Sequence, residues 1–164
     1  MLALILLWLV TVVAMEGFAY FMHRWVMHGA GWFLHKSHHR PRDGWFELND
    51  AYALIFALPS LVLINRGYTG AWGPWALAVG VGVATYGMIY FGFHDVIVHR
   101  RMKHHYIPKS AYMKRIVQAH RMHHAVESKH HGLSFGFLVA PPVETLKRQL
   151  ADSEARLRRP RAAL

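Results

Sequence analysis

Fourteen of the 164 residues are histidine, and ten of them repeat two spacings. Four residues separate His23 from His28, and His35, His38 and His39 follow in the pattern HX2HH. The same two devices return at His94 and His99, then at His120, His123 and His124. Neutral imidazole is a common ligand for zinc, copper, iron and nickel. On an α-helix, positions i, i+3 and i+4 share a face, so HX2HH points at least two imidazoles the same way, with the third close by. HX4H is less regular, because i and i+5 lie about 140° apart on an α-helix. Such a pair would chelate one ion only with distortion, and is expected to serve two neighbouring ions with one ligand each. Ten nitrogens exceed what one ion takes, since catalytic zinc usually has three protein ligands and a water. Two ions with about five nitrogens each are therefore expected.

Ligand type leaves the metal open. Iron is the expected identity, because a histidine site beside apolar spans, with no other cofactor, makes most sense as an oxygen-activating centre. The absence of cysteine excludes structural disulfides, Cys-ligated zinc and a protein-bound iron–sulfur cluster. No HEXXH occurs, so a zinc hydrolase lacks its usual ligand pair and general base. Four histidines fall outside the repeated pattern. His104 and His105 lie in a basic stretch, and His130 and His131 follow the last motif. All four are read as outside the ligand set, with a supporting role open. Asp95, directly after His94, could bind the far nitrogen of a ligating imidazole and fix its tautomer. Glu127 could do the same or face solvent. Asn49 and Asp50 are read as a helix N-cap.

These residues need elements that bring them together. Residues 2–22 are apolar over a length that suits a membrane crossing of roughly 20 residues. They are read as an uncleaved anchor, since no cleavage-site pattern follows. Glu16 lies within this span and faces either the bundle interior or the metal surroundings. Residues 51–64 form a short apolar stretch in which Pro59 is expected to kink a helix. Residues 71–93 form a third span, joined to the second by the turn 65–70. The stretch 133–143 is too short and proline-broken for a clear span, and is expected to be re-entrant, interfacial or a cap over the site. The expected fold is all-α, an integral membrane helical bundle of three to four transmembrane helices with a histidine-rich di-metal cap. Residues 1–145 are read as the membrane-embedded domain and 146–164 as a basic tail that starts helical and frays.

More than half of the residues are hydrophobic, yet the formal net charge is +10. Apolar spans in lipid with basic loops at one surface reconcile the two, and the long apolar runs argue against a nucleic-acid-binding protein. Arg24, Lys36, Arg40 and Arg42 lie between the first two spans, Arg66 alone in the hairpin turn, and the other 14 Lys and Arg after residue 93. The positive-inside rule then puts the 24–50 segment and the C-terminal third in the cytoplasm, with every histidine on that side or at its boundary. Trp25, Trp32, Trp45 and Tyr52 gather at the same boundary as interfacial anchors, one or two of which could line a substrate pocket. Gly80, Gly82, Gly87 and Gly92 on the third span allow either close helix packing or a groove for a substrate. With no flavin or nucleotide fingerprint, electrons must come from a partner. The basic surface would suit an acidic one, or anionic lipid.

The ordered set HX4H, HX2HH, HX4H, HX2HH, with FMHRWVMHG, LHKSHHRPRDGWFELND and VQAHRMHHAVESKHHGLSFGFLVAP, resembles the bacterial β-carotene hydroxylases of the wider fatty acid hydroxylase and desaturase superfamily. The resemblance runs from about residue 16 to 141. It implies a multi-pass inner-membrane enzyme that hydroxylates carotenoid β-ionone rings at carbon 3. The products would be β-cryptoxanthin and zeaxanthin from β-carotene, or astaxanthin from 4-keto rings. It also implies O2, two non-haem irons and reduced ferredoxin. By position, His23, His28, His35, His38, His39, His94, His99, His120, His123 and His124 match the family's iron-binding histidines. A hydroxylase or desaturase of fatty acids or sterols is the nearest alternative, and a membrane metal carrier a more distant one.

Overall fold

The computed structural model describes residues 1–41 and 44–158, so Arg42 and the tail residues 159–164 lie outside the described residues. Among those described, every regular element is helical. Helix α1 (Leu2–Phe21) continues into a π-helical segment, Met22–Ala30. A short helix α2 (Trp32–His35) and a 3-10 turn, Lys36–His39, follow. The 3-10 turn Leu48–Asp50 leads into α3 (Ala51–Tyr68). Helix α4 (Pro74–Tyr90) also ends in a π-helical segment, Phe91–Val98. Helices α5 (Ala111–His124) and α6 (Val143–Arg158) complete the described residues.

Among the described residues, three helices are long and apolar enough to cross a membrane: Leu2–Ala30, Leu48–Tyr68 and Pro74–Val98. Leu6, Val10, Val13, Leu54, Leu58 and Leu61 stay exposed on them, as lipid-facing side chains do. The second span is longer than its apolar stretch predicts. It runs on through Pro59, and residues 65–68, expected in the turn, are helical. Thr69 is the C-cap of the helix, its N–H and hydroxyl both donating to the Asn65 carbonyl at 3.0 and 2.9 Å. Gly70 and Gly73 then take φ of 78° and 76°, a region open to glycine, and Pro74 starts the next helix.

Helix α4 is the centre of the bundle, packed against α1 and α3. A Cβ on Gly80 would meet Ile64 N at 2.8 Å, and one on Gly82 would meet Thr11 Cβ at 2.7 Å. These two glycines therefore serve helix packing. Gly87 and Gly92 face open space, so only they leave room for a groove. Ser60 Oγ donates to the Gly80 carbonyl at 2.8 Å, and Trp8 Nε1 donates to Thr85 Oγ1 at 3.1 Å. The hydrophobic core lies at the other end, where Phe93, Val98, Ile116, Val117, Leu133 and Phe137 pack together. Leu146 is fully buried in this core, so α6 crosses the expected boundary at residue 145 and docks there.

Candidate metal centre

The histidine ends of α1 and α4 and the start of α3 meet at one end of the bundle, and α5 closes over them. Ten imidazoles converge there in two groups, each with its ligand nitrogens within 4.8 Å of one another. Group A is His23, His28, His35, His39 and His123. Group B is His38, His94, His99, His120 and His124. The four remaining histidines stay outside both. His104 is held by the Val96 carbonyl at 2.8 Å, and His105, His130 and His131 are exposed.

The division reverses the expectation for HX4H and agrees with that for HX2HH. Both members of each HX4H pair serve the same group, while each HX2HH motif gives its middle histidine to the other group. The cause is the π-helix. Its i→i+5 hydrogen bonds stack residues five apart, as α-helical bonds stack residues four apart. The His99 N–H donates to the His94 carbonyl at 2.9 Å, so the ladder bond itself joins the pair. The α-helical angle of about 140° does not apply to a π-turn. In HX2HH, His35 and His39 share a face, as do His120 and His124. His38 and His123 point across to the opposite group.

Seven of the ten rings are oriented from behind by a hydrogen bond at Nδ1. In group A, Nδ1–H donates to the carbonyls of Phe135 from His23 (2.9 Å), Lys129 from His28 (3.3 Å), Val126 from His39 (3.1 Å) and Leu133 from His123 (2.7 Å). His35 donates to Asn49 Oδ1 at 2.7 Å. Asn49 thus orients a histidine instead of capping a helix, whereas Asp50 forms a capping box with Glu47 just before α3. Four of the five acceptors come from residues 126–135, a segment that spacing rules miss. His131 and Ser134 take φ of 67° and 54° there, turning the chain so that its carbonyls face the rings. Segment 133–143 is therefore a cap. Phe135 and Phe137 pack on His23, Phe137 stacked at 5.2 Å. Glu16 anchors the cap, accepting from the N–H groups of Phe137 and Leu138 at 2.9 and 2.8 Å and from the Tyr86 hydroxyl at 2.8 Å.

Group B is oriented differently. His38 Nδ1 donates to Glu47 Oε1 and His94 Nδ1 to Asp95 Oδ2, both at 3.2 Å. Arg101 ties these carboxylates together, with Nη2 at 3.3 Å from Glu47 and 2.6 Å from Asp50, and Nε at 3.2 Å from Asp95. Asp95 takes the role open to it, whereas Glu47 and Arg101 carried no sequence signal. Glu127 is exposed. His120 Nδ1 is buried with no hydrogen-bond partner among the described residues. A cavity of about 290 Å³ opens on His38, His39, His99 and His124, with Arg40 and Arg121 in its wall.

Where Nδ1–H donates outward, Nε2 keeps its lone pair, and these lone pairs converge. His28 and His123 approach at 3.2 Å, His35 and His39 at 3.3 Å, and His38 and His94 at 2.9 Å. Facing lone pairs repel unless a cation lies between them. Ligands at right angles on bonds of about 2.1 Å stand about 3 Å apart, so the spacing suits a transition-metal ion in each group. Burial, and then the neighbouring imidazoles, holds His38, His120, His123 and His124 well below the ordinary histidine range. Burial pushes His39 down to about 4. Neutral rings are the form that binds metal.

Comparison with known proteins agrees with this geometry. Residues 8–140 match the fatty acid hydroxylase family. The chain is 49% identical to a β-carotene hydroxylase of Pantoea ananas over 144 residues, covering 87% of this chain and 81% of that one. It is 49% identical to one from Paracoccus sp. (strain N81106 / MBIC 01143), covering 87% and 88%. It is 46% identical to one from Pseudescherichia vulneris, covering 92% and 80%. No solved structure matches. The chain belongs to the fatty acid hydroxylase family and is similar to its β-carotene hydroxylases over most of its length.

Proposed function

We propose that the chain hydroxylates carotenoid β-ionone rings at carbon 3, converting β-carotene to β-cryptoxanthin and then zeaxanthin, and accepting 4-keto rings on the way to astaxanthin. Two non-haem irons, one in each histidine group, are the metals, with His23, His28, His35, His39 and His123 on one and His38, His94, His99, His120 and His124 on the other. The observation that carries the reading is the closed set of ten converging imidazoles in a chain nearly half identical to β-carotene hydroxylases. When bound, the irons supply O2 reduction and the oxidising power to hydroxylate an unactivated C–H bond.

The protein's own part is to orient, exclude water and admit the ring. The outward Nδ1–H bonds hold the imidazoles in place. Phe135, Phe137 and Trp32 pack on the rings of group A, and Tyr90 stacks on His94 at 4.5 Å, which keeps bulk water from the reacting carbon. Gly87 on α4 and Gly92 on the π-helical segment after it leave open space along the third span, where a polyene dissolved in lipid would approach. The domain that performs this is 1–145; the residues after it supply no imidazole, and α6 docks on the core of that domain through Leu146.

The protein is placed in the inner membrane with the histidine end in the cytoplasm, on the strength of the charge asymmetry. Reduced ferredoxin is the electron donor, supported by the basic surface and by the cavity walled by Arg40 and Arg121 that reaches group B. Expression in a β-carotene-producing host, with product identification and elemental analysis of the purified protein, tests the reading. Zeaxanthin and two irons per chain are expected. Unchanged β-carotene, or zinc in place of iron, would overturn it. The family description favours acyl chains as the second substrate class, and hydroxylated fatty acids in the same host would establish that instead.

A further inference from the structure

The geometry points to two inequivalent metal positions. Arg101, with Glu47 and Asp95, makes group B the stronger donor set and stabilises its ion in the higher oxidation state. This deepens the two-iron reading and rests on it. The five outer acceptors of group A are four backbone carbonyls and one amide, all uncharged. Behind group B stand three carboxylates, Glu47, Asp50 and Asp95, with Arg101 among them. Three negative charges against one positive leave two net negative charges beside His38 and His94. Arg40 and Arg121 lie on the solvent side of the adjoining cavity, where water and salt screen them.

The carboxylates act through bonds that solvent does not interrupt. A carboxylate on Nδ1–H draws the proton outward and gives the ring imidazolate character, so Nε2 donates more strongly. Stronger donation and nearby negative charge both favour ferric over ferrous iron. Arg101 is a positioning residue in this account. It holds Glu47 and Asp95, which come from distant parts of the chain, at bonding distance from two imidazoles that themselves meet at 2.9 Å. A carbonyl cannot take a proton or a charge, so group A has no comparable source of donor strength.

The test uses the full-length protein in lipid nanodiscs, loaded with isotopically enriched iron and read by Mössbauer spectroscopy through a redox titration. The wild type is expected to show two signals of equal area that reduce in separate steps. Asp95→Asn keeps an acceptor but loses the charge, and should move only the signal that reduces last. Its ferric-to-ferrous ratio should fall about tenfold, a shift of about 59 mV for one electron. Retention of that iron against a chelator should fall 10- to 100-fold, in the usual range for such partners. Arg101→Gln should move the same signal, with Arg101→Lys restoring part of the shift. Asn49→Asp adds a carboxylate behind His35 and should move the other signal the opposite way, a response that a merely structural role would not produce. Two irons with one common signal, or variants that move both signals alike, would overturn the inference while leaving the two-iron reading intact. Fewer than two irons in the wild type would overturn both.

Discussion

Groups A and B are built from the same motifs and number of imidazoles, yet the protein treats them differently. Group A is fully buried, capped by aromatic rings and backed by neutral acceptors. Group B has two partly exposed histidines, opens on a cavity, and is backed by carboxylates. The difference follows from where each group sits. Group A lies under the segment 126–137, whose backbone has four carbonyls to spare once it leaves the helix. Group B lies between the end of α4 and the 3-10 turn before α3, where side chains must supply the acceptors. A repeated ligand pattern thus yields two unlike sites because the supporting chain is not repeated.

The sharpest way to break this comparison is to remove one ligand from each group. His123→Ala and His120→Ala should each abolish hydroxylation, measured as zeaxanthin formed, while the protein still inserts. Iron content should fall from two to one per chain in both, because each variant disrupts one group. The surviving Mössbauer signals should differ, that of His123→Ala belonging to group B and that of His120→Ala to group A. Loss of both irons in either variant would mean that the groups are not separable.

Much of this site is legible in the sequence, because ligation by imidazole demands residue types that have few other reasons to cluster. The ten histidines selected by spacing are the ten that converge, and three apolar spans are found, although each is read as ending short of its helix. The partition into groups was not legible. Spacing arguments assume α-helical geometry, and His23–His28 and His94–His99 lie on π-helical segments that no propensity rule signals. Asp95 was within reach because it adjoins His94. Glu47 and Arg101 were not, because Glu47 meets His38 across an irregular stretch and Arg101 reaches both through folding alone. The carbonyls of 126–135 belong to no side chain, so composition cannot report them. The turn of that segment at His131 and Ser134 rests on backbone angles, which only coordinates supply.

Acid acts on both groups with a smaller effect. Every shifted histidine here is lowered, so the metal-free fold keeps neutral rings that the unfolded chain would protonate. Its stability is full above the unfolded value of about 6.5 and falls as pH drops below it. Each buried ring costs at most about 1.4 kcal/mol per pH unit. His39, on group A, stops contributing below about 4, its own value in the fold. His123 on the same group, and His38 and His124 on group B, lie further down and continue. Thermal melts of metal-free protein from pH 7 to 4.5 should show a falling Tm, and metal-loaded protein a flatter profile until iron dissociates. His124→Gln should flatten the metal-free profile. A metal-free melt independent of pH would contradict the neutral, buried rings.

The smallest effect concerns the cavity that only group B and its neighbour His39 share with solvent. Arg121 stands in its wall on an exposed face of α5, away from the hydrogen bonds that orient the ligands. Charges at a rim act mainly on encounter rate and its salt dependence. Arg121→Ser should therefore leave iron content and both Mössbauer signals unchanged, and slow association with reduced ferredoxin a few-fold at low ionic strength. The difference from wild type should vanish near 0.5 M salt, where the screening length falls to about 4 Å. Stopped-flow oxidation of ferredoxin across a salt series measures it. A loss that persists at high salt would place Arg121 inside the site and not at its mouth. An unchanged rate at every salt concentration would move electron entry away from group B, leaving the exposed cavity as a route for solvent alone.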